Sequence, residues 1–140
     1  MLRHFLILLL LDGVICGQSP VDNAVNRCQM CSHCDKQSFS IPAKDGAHLT
    51  LIIQFSDYRW GVTGTHWYRG GPVIVEYSDS CLRASHVTYY KRQKTIEAWE
   101  NVSLENSSGQ PQHFDAVLLK IDNRVLTPIK LLQGKEHSAF

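Results

Sequence analysis

Charge of one sign is almost missing from this chain. Its 14 Lys and Arg residues nearly balance 13 Asp and Glu, leaving a net charge of +1 at pH 7. Nucleic-acid binding rests on a positive excess that neutralises phosphates, so nucleic acid is not an expected partner. Long apolar runs are scarce as well. Beyond the first residues the best stretch is LTLIIQF at 49–55, which is interrupted by Thr50 and Gln54, and a membrane-spanning helix needs about 20 apolar residues. The tail GKEHSAF is polar, with neither a GPI-type hydrophobic end nor a KDEL-like signal. There is no internal repeat and no low-complexity tract. Carboxylates such as Asp57, Glu76 and Asp79 lack the spacing of a paired-acid glycosidase. The expectation is a non-enzymatic chain without a cofactor.

What is present begins with MLRHFLILLLLDGVICGQSP. A basic start at Arg3 and His4, the apolar run Phe5 to Leu11, and small residues at Gly13 and Gly17 form the pattern of a secretory signal peptide. We read residues 1–17 as that signal, 18–38 as a cysteine-rich arm and 39–140 as the folded domain. Cleavage after Gly17 would remove Cys16 and reduce five cysteines to four. The mature chain is then expected to be secreted and extracellular.

Three of those four cysteines crowd into CQMCSHC at 28–34, and the fourth is Cys81. A C-x2-C spacing suits zinc, but the second ligand pair of a zinc site is missing, so no metal is expected. A thiol oxidoreductase at Cys31 and Cys34 would need a helix N-terminus in a βαβ setting, and the surrounding arm offers none. An even cysteine set in an exported chain points instead to disulfides among Cys28, Cys31, Cys34 and Cys81. Three pairings are open, and any that uses Cys81 closes a loop of about 50 residues, stabilising the fold by about 4 kcal/mol. A disulfide-linked homodimer is the alternative use of the cluster.

From residue 39 onward the pattern is β. Leu49, Leu51, Ile53 and Phe55 alternate onto one face. RGGP at 69–72 reads as a turn before PVIVEY, and Leu82, Ala84, His86, Thr88 and Tyr90 read as one strand face. FDAVLLKI meets RVLTPIKLL across Asp122-Asn123, a hairpin turn, and Pro128 places the last strand at an edge or a bulge. Short strands at intervals of about 8–12 residues predict an all-β fold, an antiparallel β-sandwich of jelly-roll, lectin-like or Ig-like type with a disulfide-pinned N-terminal arm. THWYRGGPVIVEYSDS resembles the C–C′ hairpin of immunoglobulin variable domains. That family's two core cysteines have no counterparts here, because no cysteine lies between Cys34 and Cys81.

Three patches are candidate sites. Asn101 (NVS) and Asn106 (NSS) are glycosylation sequons. Lys91, Arg92 and Lys94, with Arg83 nearby, form a heparin-type basic cluster for glycosaminoglycans. Trp60 and Trp67 lie in an aromatic hairpin ending at Arg69, where rings could stack on sugars as in a lectin. Together these predict a secreted glycoprotein that binds an extracellular protein or a cell-surface glycan.

Overall fold

The computed structural model describes residues 28, 34–61, 63–106 and 109–132. The chain divides into Met1–Met30 and Cys31–Phe140. Of the first unit only Cys28 is described, so the expected signal peptide lies outside the described residues. The second unit holds eight strands: β1 (Asp35–Pro42), β2 (His48–Phe55), β3 (Asp57–Trp60), β4 (Thr65–Tyr77), β5 (Ser80–Tyr90), β6 (Thr95–Asn106), β7 (Gln112–Asp122) and β8 (Val125–Leu131). They form one antiparallel sheet in the order β1-β2-β4-β5-β6-β7-β8, with β3 on the first half of β4. The fold is all-β and antiparallel as expected; the pairing of the described residues runs as one continuous sheet and does not by itself confirm a sandwich.

A single sheet can bury one face only by folding back on itself. Register breaks supply the bend: they fall between Arg69 and Val73 in β4, Arg83 and His86 in β5, and Trp99 and Val102 in β6. Bulges in neighbouring strands add twist and let strands turn a corner. In β4 and β5 the alternation of inward-facing residues changes across the break, whereas in β6 it is kept from Ile96 and Ala98 to Val102 and Leu104. Thus Tyr68 precedes the break in β4 while Val73, Val75 and Tyr77 follow it, and all are buried in one core. In β5 the same switch runs from Leu82 and Ala84 to Val87 and Tyr89.

Contacts between strands that are not ladder neighbours show the fold-back. Ser80 Oγ, at the start of β5, accepts a hydrogen bond from the Leu126 amide of β8 at 2.9 Å. It also donates to Asn106 Oδ1 at 2.6 Å. Arg124, in the β7–β8 turn, pairs with Asp45 of the β1–β2 turn at 3.1 Å. On the far side Tyr68 donates to Gln37 of β1 at 2.7 Å. Opposite corners of the sheet are thereby joined.

Several sequence expectations are corrected by this bend. RGGP is not a turn between strands but the bulge inside the 13-residue strand β4. There Gly70 has φ +112°, and a Cβ on it would lie 2.4 Å from the Ser56 Cβ, so only glycine lets these backbones approach. The β5 face expected to hold Leu82 through Tyr90 is split by the bulge, and His86 and Thr88 point away from the core. The last hairpin turns one residue later than expected, at Asn123 and Arg124, with Arg124 at φ +69°. β1 begins at Asp35, inside the segment read as arm. Pro128 does stand on a strand with a single ladder partner, beside a register shift.

Candidate functional site

Cys28 and Cys81 form a disulfide. Cys34 is disulfide-bonded too, whereas Cys31 lies outside the described residues. Cys81 stands between Glu76 and Glu105 on adjacent strands, and its neighbour Leu82 points into the core, so its sulfur emerges on the opposite face. No group of three or more His, Cys, Asp and Glu suited to a metal occurs among the described residues. Asn101 is exposed at the β6 bulge with φ +58°, beside Glu100 at φ +70°. Asn106 is half-buried, and its carbonyl is engaged by Ser80.

The basic cluster is a turn and not part of a strand. β5 ends at Tyr90, and Lys91, Arg92 and Lys94 are all exposed in the connection to β6. The Lys91 amide bonds the Gly64 carbonyl at 2.9 Å, and the Lys94 carbonyl accepts from the Ile121 amide at 2.9 Å. The β3–β4 connection and strand β7 therefore hold the turn. Lys94 has φ +56°, a conformation glycine adopts freely and other residues at a cost of about 1 kcal/mol. Arg83 is not brought to this cluster; it lies on the other side of the β5 bulge, opposite Ile74 and Ser103.

Lys94 instead meets two lysines that the sequence did not single out. A cavity of about 210 Å³ is lined by residues 41–44, Tyr77, Lys94 and residues 120–123, which include Lys44 and Lys120. Lys120 is placed by the β6–β7 ladder, where it pairs with Thr95 next to Lys94. Lys44 arrives from the β1–β2 turn through the fold-back of the sheet. Asp122 is the one carboxylate in the lining. The nearby Asp45 is engaged elsewhere: the Ala47 amide and then Arg124 hold its carboxyl below the usual range. Lys44, Lys94 and Lys120 make no ion pair with a described residue, so the cavity presents an excess of positive charge.

Trp60 and Trp67 do not form one platform. Trp60 is opposite His66 and Trp67 opposite Arg59, which puts the two indoles on opposite faces of the ladder. Trp60 is 66% exposed. Behind it lies a cluster of rings. His66 sits 5.2 Å from Phe39, 5.8 Å from Tyr58 and 5.9 Å from Tyr89, and Lys91 Nζ lies 5.9 Å from the Phe39 ring centre. Tyr58 Oη and His66 Nδ1 share a hydrogen bond of 2.7 Å, whose direction follows the imidazole tautomer. Desolvation, then the charge of Lys91, lowers the His66 pKa from 6.5. Burial pushes the Tyr89 phenol up to about 12.

Trp67 belongs to the opposite face. Its Nε1, Thr88 Oγ1 and His86 Nδ1 are buried and find no hydrogen-bond partner among the described residues. His86 also stacks on Trp99 at 5.0 Å and pairs with Glu100 at 3.1 Å.

Fold and site define an all-β domain, a single bent antiparallel sheet with a lysine-lined cavity at the junction of its corners. No family model, no curated protein and no solved structure matches the chain. The functional reading therefore rests on the residues themselves.

Proposed function

We propose that this is an exported, non-enzymatic binding domain whose partner is an anionic glycan of the cell surface or matrix. The observation that carries the reading is the convergence of Lys44, Lys94 and Lys120 on one cavity from two turns and a strand far apart in the chain. Lysine ammonium groups are compact charges on flexible stems, suited to sulfate and carboxylate groups spaced along a polymer. Lys91 and Arg92 extend the same positive surface along the β5–β6 turn. The signal-like N-terminus and the sequons at Asn101 and Asn106 support export, where such glycans occur. The disulfide-bonded cysteines fit an oxidising compartment.

The test is heparin affinity chromatography of the secreted protein. Retention beyond physiological salt is expected, with loss of retention when Lys44, Lys94 and Lys120 are all changed to Ala. Each cation removed should lower the slope of log affinity against log salt by roughly one, as in other polyanion complexes. Retention unchanged in the triple variant refutes the assignment. A wild-type protein that flows through heparin favours a protein receptor instead.

A further inference from the structure

Trp60 is the largest exposed apolar side chain among the described residues, and it stands at the end of a tract that begins at the lysines. On β1 the inward side chains run from Ile41, which lines the cavity, to Phe39, which joins the rings. They stand two positions apart on the strand, or about 7 Å. From Phe39 the next ring is His66 at 5.2 Å, and Trp60 is directly opposite His66 across the ladder. Directly opposed Cβ atoms on antiparallel strands are about 5 Å apart. Lys91, over Phe39, links the rings to the basic turn. The exposed indole therefore adjoins a ring cluster that the basic turn carrying Lys91 and Lys94 also meets.

We propose that Trp60 is a sugar-stacking subsite of the anionic-glycan site. A chain whose sulfate or carboxylate groups engage the lysines would lay a pyranose ring on the Trp60 indole, near Tyr58 and His66. The apolar face of a sugar ring packs on an aromatic face, while its hydroxyls reach neighbouring polar edges. The ligand class is accordingly a sulfated or uronate-containing oligosaccharide several units long, rather than an isolated anion. An anionic bilayer is the competing source of negative charge, and the tract suits it less. It offers one projecting indole backed by rings with polar edges, whereas surface insertion draws on a broad apolar face. This inference rests on the anionic-glycan reading and is tested so that the two can fail separately.

The experiment is calorimetric titration of the full secreted protein with a heparin-derived hexasaccharide across a range of salt. Trp60→Ala is expected to weaken binding by roughly three- to tenfold at every salt concentration, leaving the salt slope unchanged. Lys94→Ala should instead reduce the slope. Trp60→Phe, which keeps a ring, should recover part of the loss, as a merely structural role of the indole would not require. Wild-type binding with full affinity in Trp60→Ala overturns the subsite and leaves the lysine site standing. No hexasaccharide binding by the wild type overturns both. Binding to phosphatidylserine vesicles that the hexasaccharide does not displace also overturns the proposal, in favour of a membrane surface.

Discussion

Replacing Gly70 by Ala tests whether the bulge in β4 is what bends the sheet. Two costs can be worked from the geometry. The first is conformational, because φ is +112° at Gly70 and an L-residue at such positive φ loses about 1–2 kcal/mol. The second is steric. The new methyl would lie 2.4 Å from the Ser56 Cβ, 2.8 Å from its Oγ and 3.2 Å from its Cα. Rotating the hydroxyl cannot relieve a clash with Cβ and Cα. The Ser56 amide is moreover bonded to the Arg69 carbonyl at 3.2 Å, so backbone must move. Overpacking of this kind costs about 1–3 kcal/mol, for a combined loss of about 2–5 kcal/mol against a typical domain stability of about 5–15. Urea unfolding of three variants provides its own calibration. Gly109→Ala meets nothing within 4 Å and should match wild type. Gly46→Ala has open space but φ +88°, so it should lose only the conformational part, about 1–2 kcal/mol. Gly70→Ala should lose most, and adding Ser56→Gly, which removes the Cβ and Oγ contacts and leaves the Cα at 3.2 Å, should bring it part of the way back toward Gly46→Ala. Because the bend carries Lys44 toward Lys94 and Lys120, heparin retention should weaken in Gly70→Ala as well. An unfolding midpoint for Gly70→Ala equal to that of Gly109→Ala would refute the reasoning.

Changing Cys28 and Cys81 together to Ser opens a loop of roughly 50 residues and should lower unfolding free energy by about 4 kcal/mol; a non-reducing peptide map must show the 28–81 pair in the wild type. Ser80 is 2% exposed and bridges Asn106 and Leu126, so Ser80→Ala should cost about 1–3 kcal/mol by stranding their groups. Thr88→Val makes the opposite case: its buried hydroxyl has no partner among the described residues, and the isosteric change should be neutral or stabilise by up to about 1 kcal/mol. His66 has a folded pKa below its ordinary 6.5, so the folded state holds fewer protons than the unfolded one in the window below that value. Its contribution is complete above pH 6.5 and is lost as pH falls from 6.5 through the depressed folded pKa. The wild type should lose stability through that window, and His66→Gln should flatten the loss; identical pH profiles would show that His66 does not titrate as described.

How much of this was legible in the sequence differs between strands and bends. Leu51, Ile53 and Phe55 alternate without interruption and are all buried, so period-2 reading sufficed for β2. In β5 the same reading carried the face from Leu82 and Ala84 on to His86, which is wrong. Nothing in Ala84-Ser85-His86 marks a bulge. The extra residues lie on the neighbours of β5, between Arg69 and Val73 in β4 and between Trp99 and Ser103 in β6, and their need arises from closing the core. RGGP did announce an irregularity, but a turn and a bulge use the same residues. The choice between them depended on Ser56, 14 positions away. Likewise, Trp60 and Trp67 looked like one platform in one hairpin. Their opposite orientation follows only once the register pairs Trp60 with His66.

The candidate site shows why a near-zero net charge excludes less than it first suggests. The figure of +1 sums the whole chain and bears on long-range attraction to polyanions. A bound ligand samples charge within roughly 8 Å at physiological salt. At that range the sheet matters more than the sum, because its fold-back brings Lys44, Lys94 and Lys120 to one cavity with a single carboxylate. Lys91-Arg92-Lys94 was visible as a cluster, whereas Lys44 lies 50 positions earlier and Lys120 26 positions later, beyond any local pattern. On the proposed anionic-glycan reading, discrimination comes from anion spacing at the cavity and a ring at Trp60. That is why binding that is strong but indifferent to both the lysines and the indole would be incompatible with this fold's charge distribution.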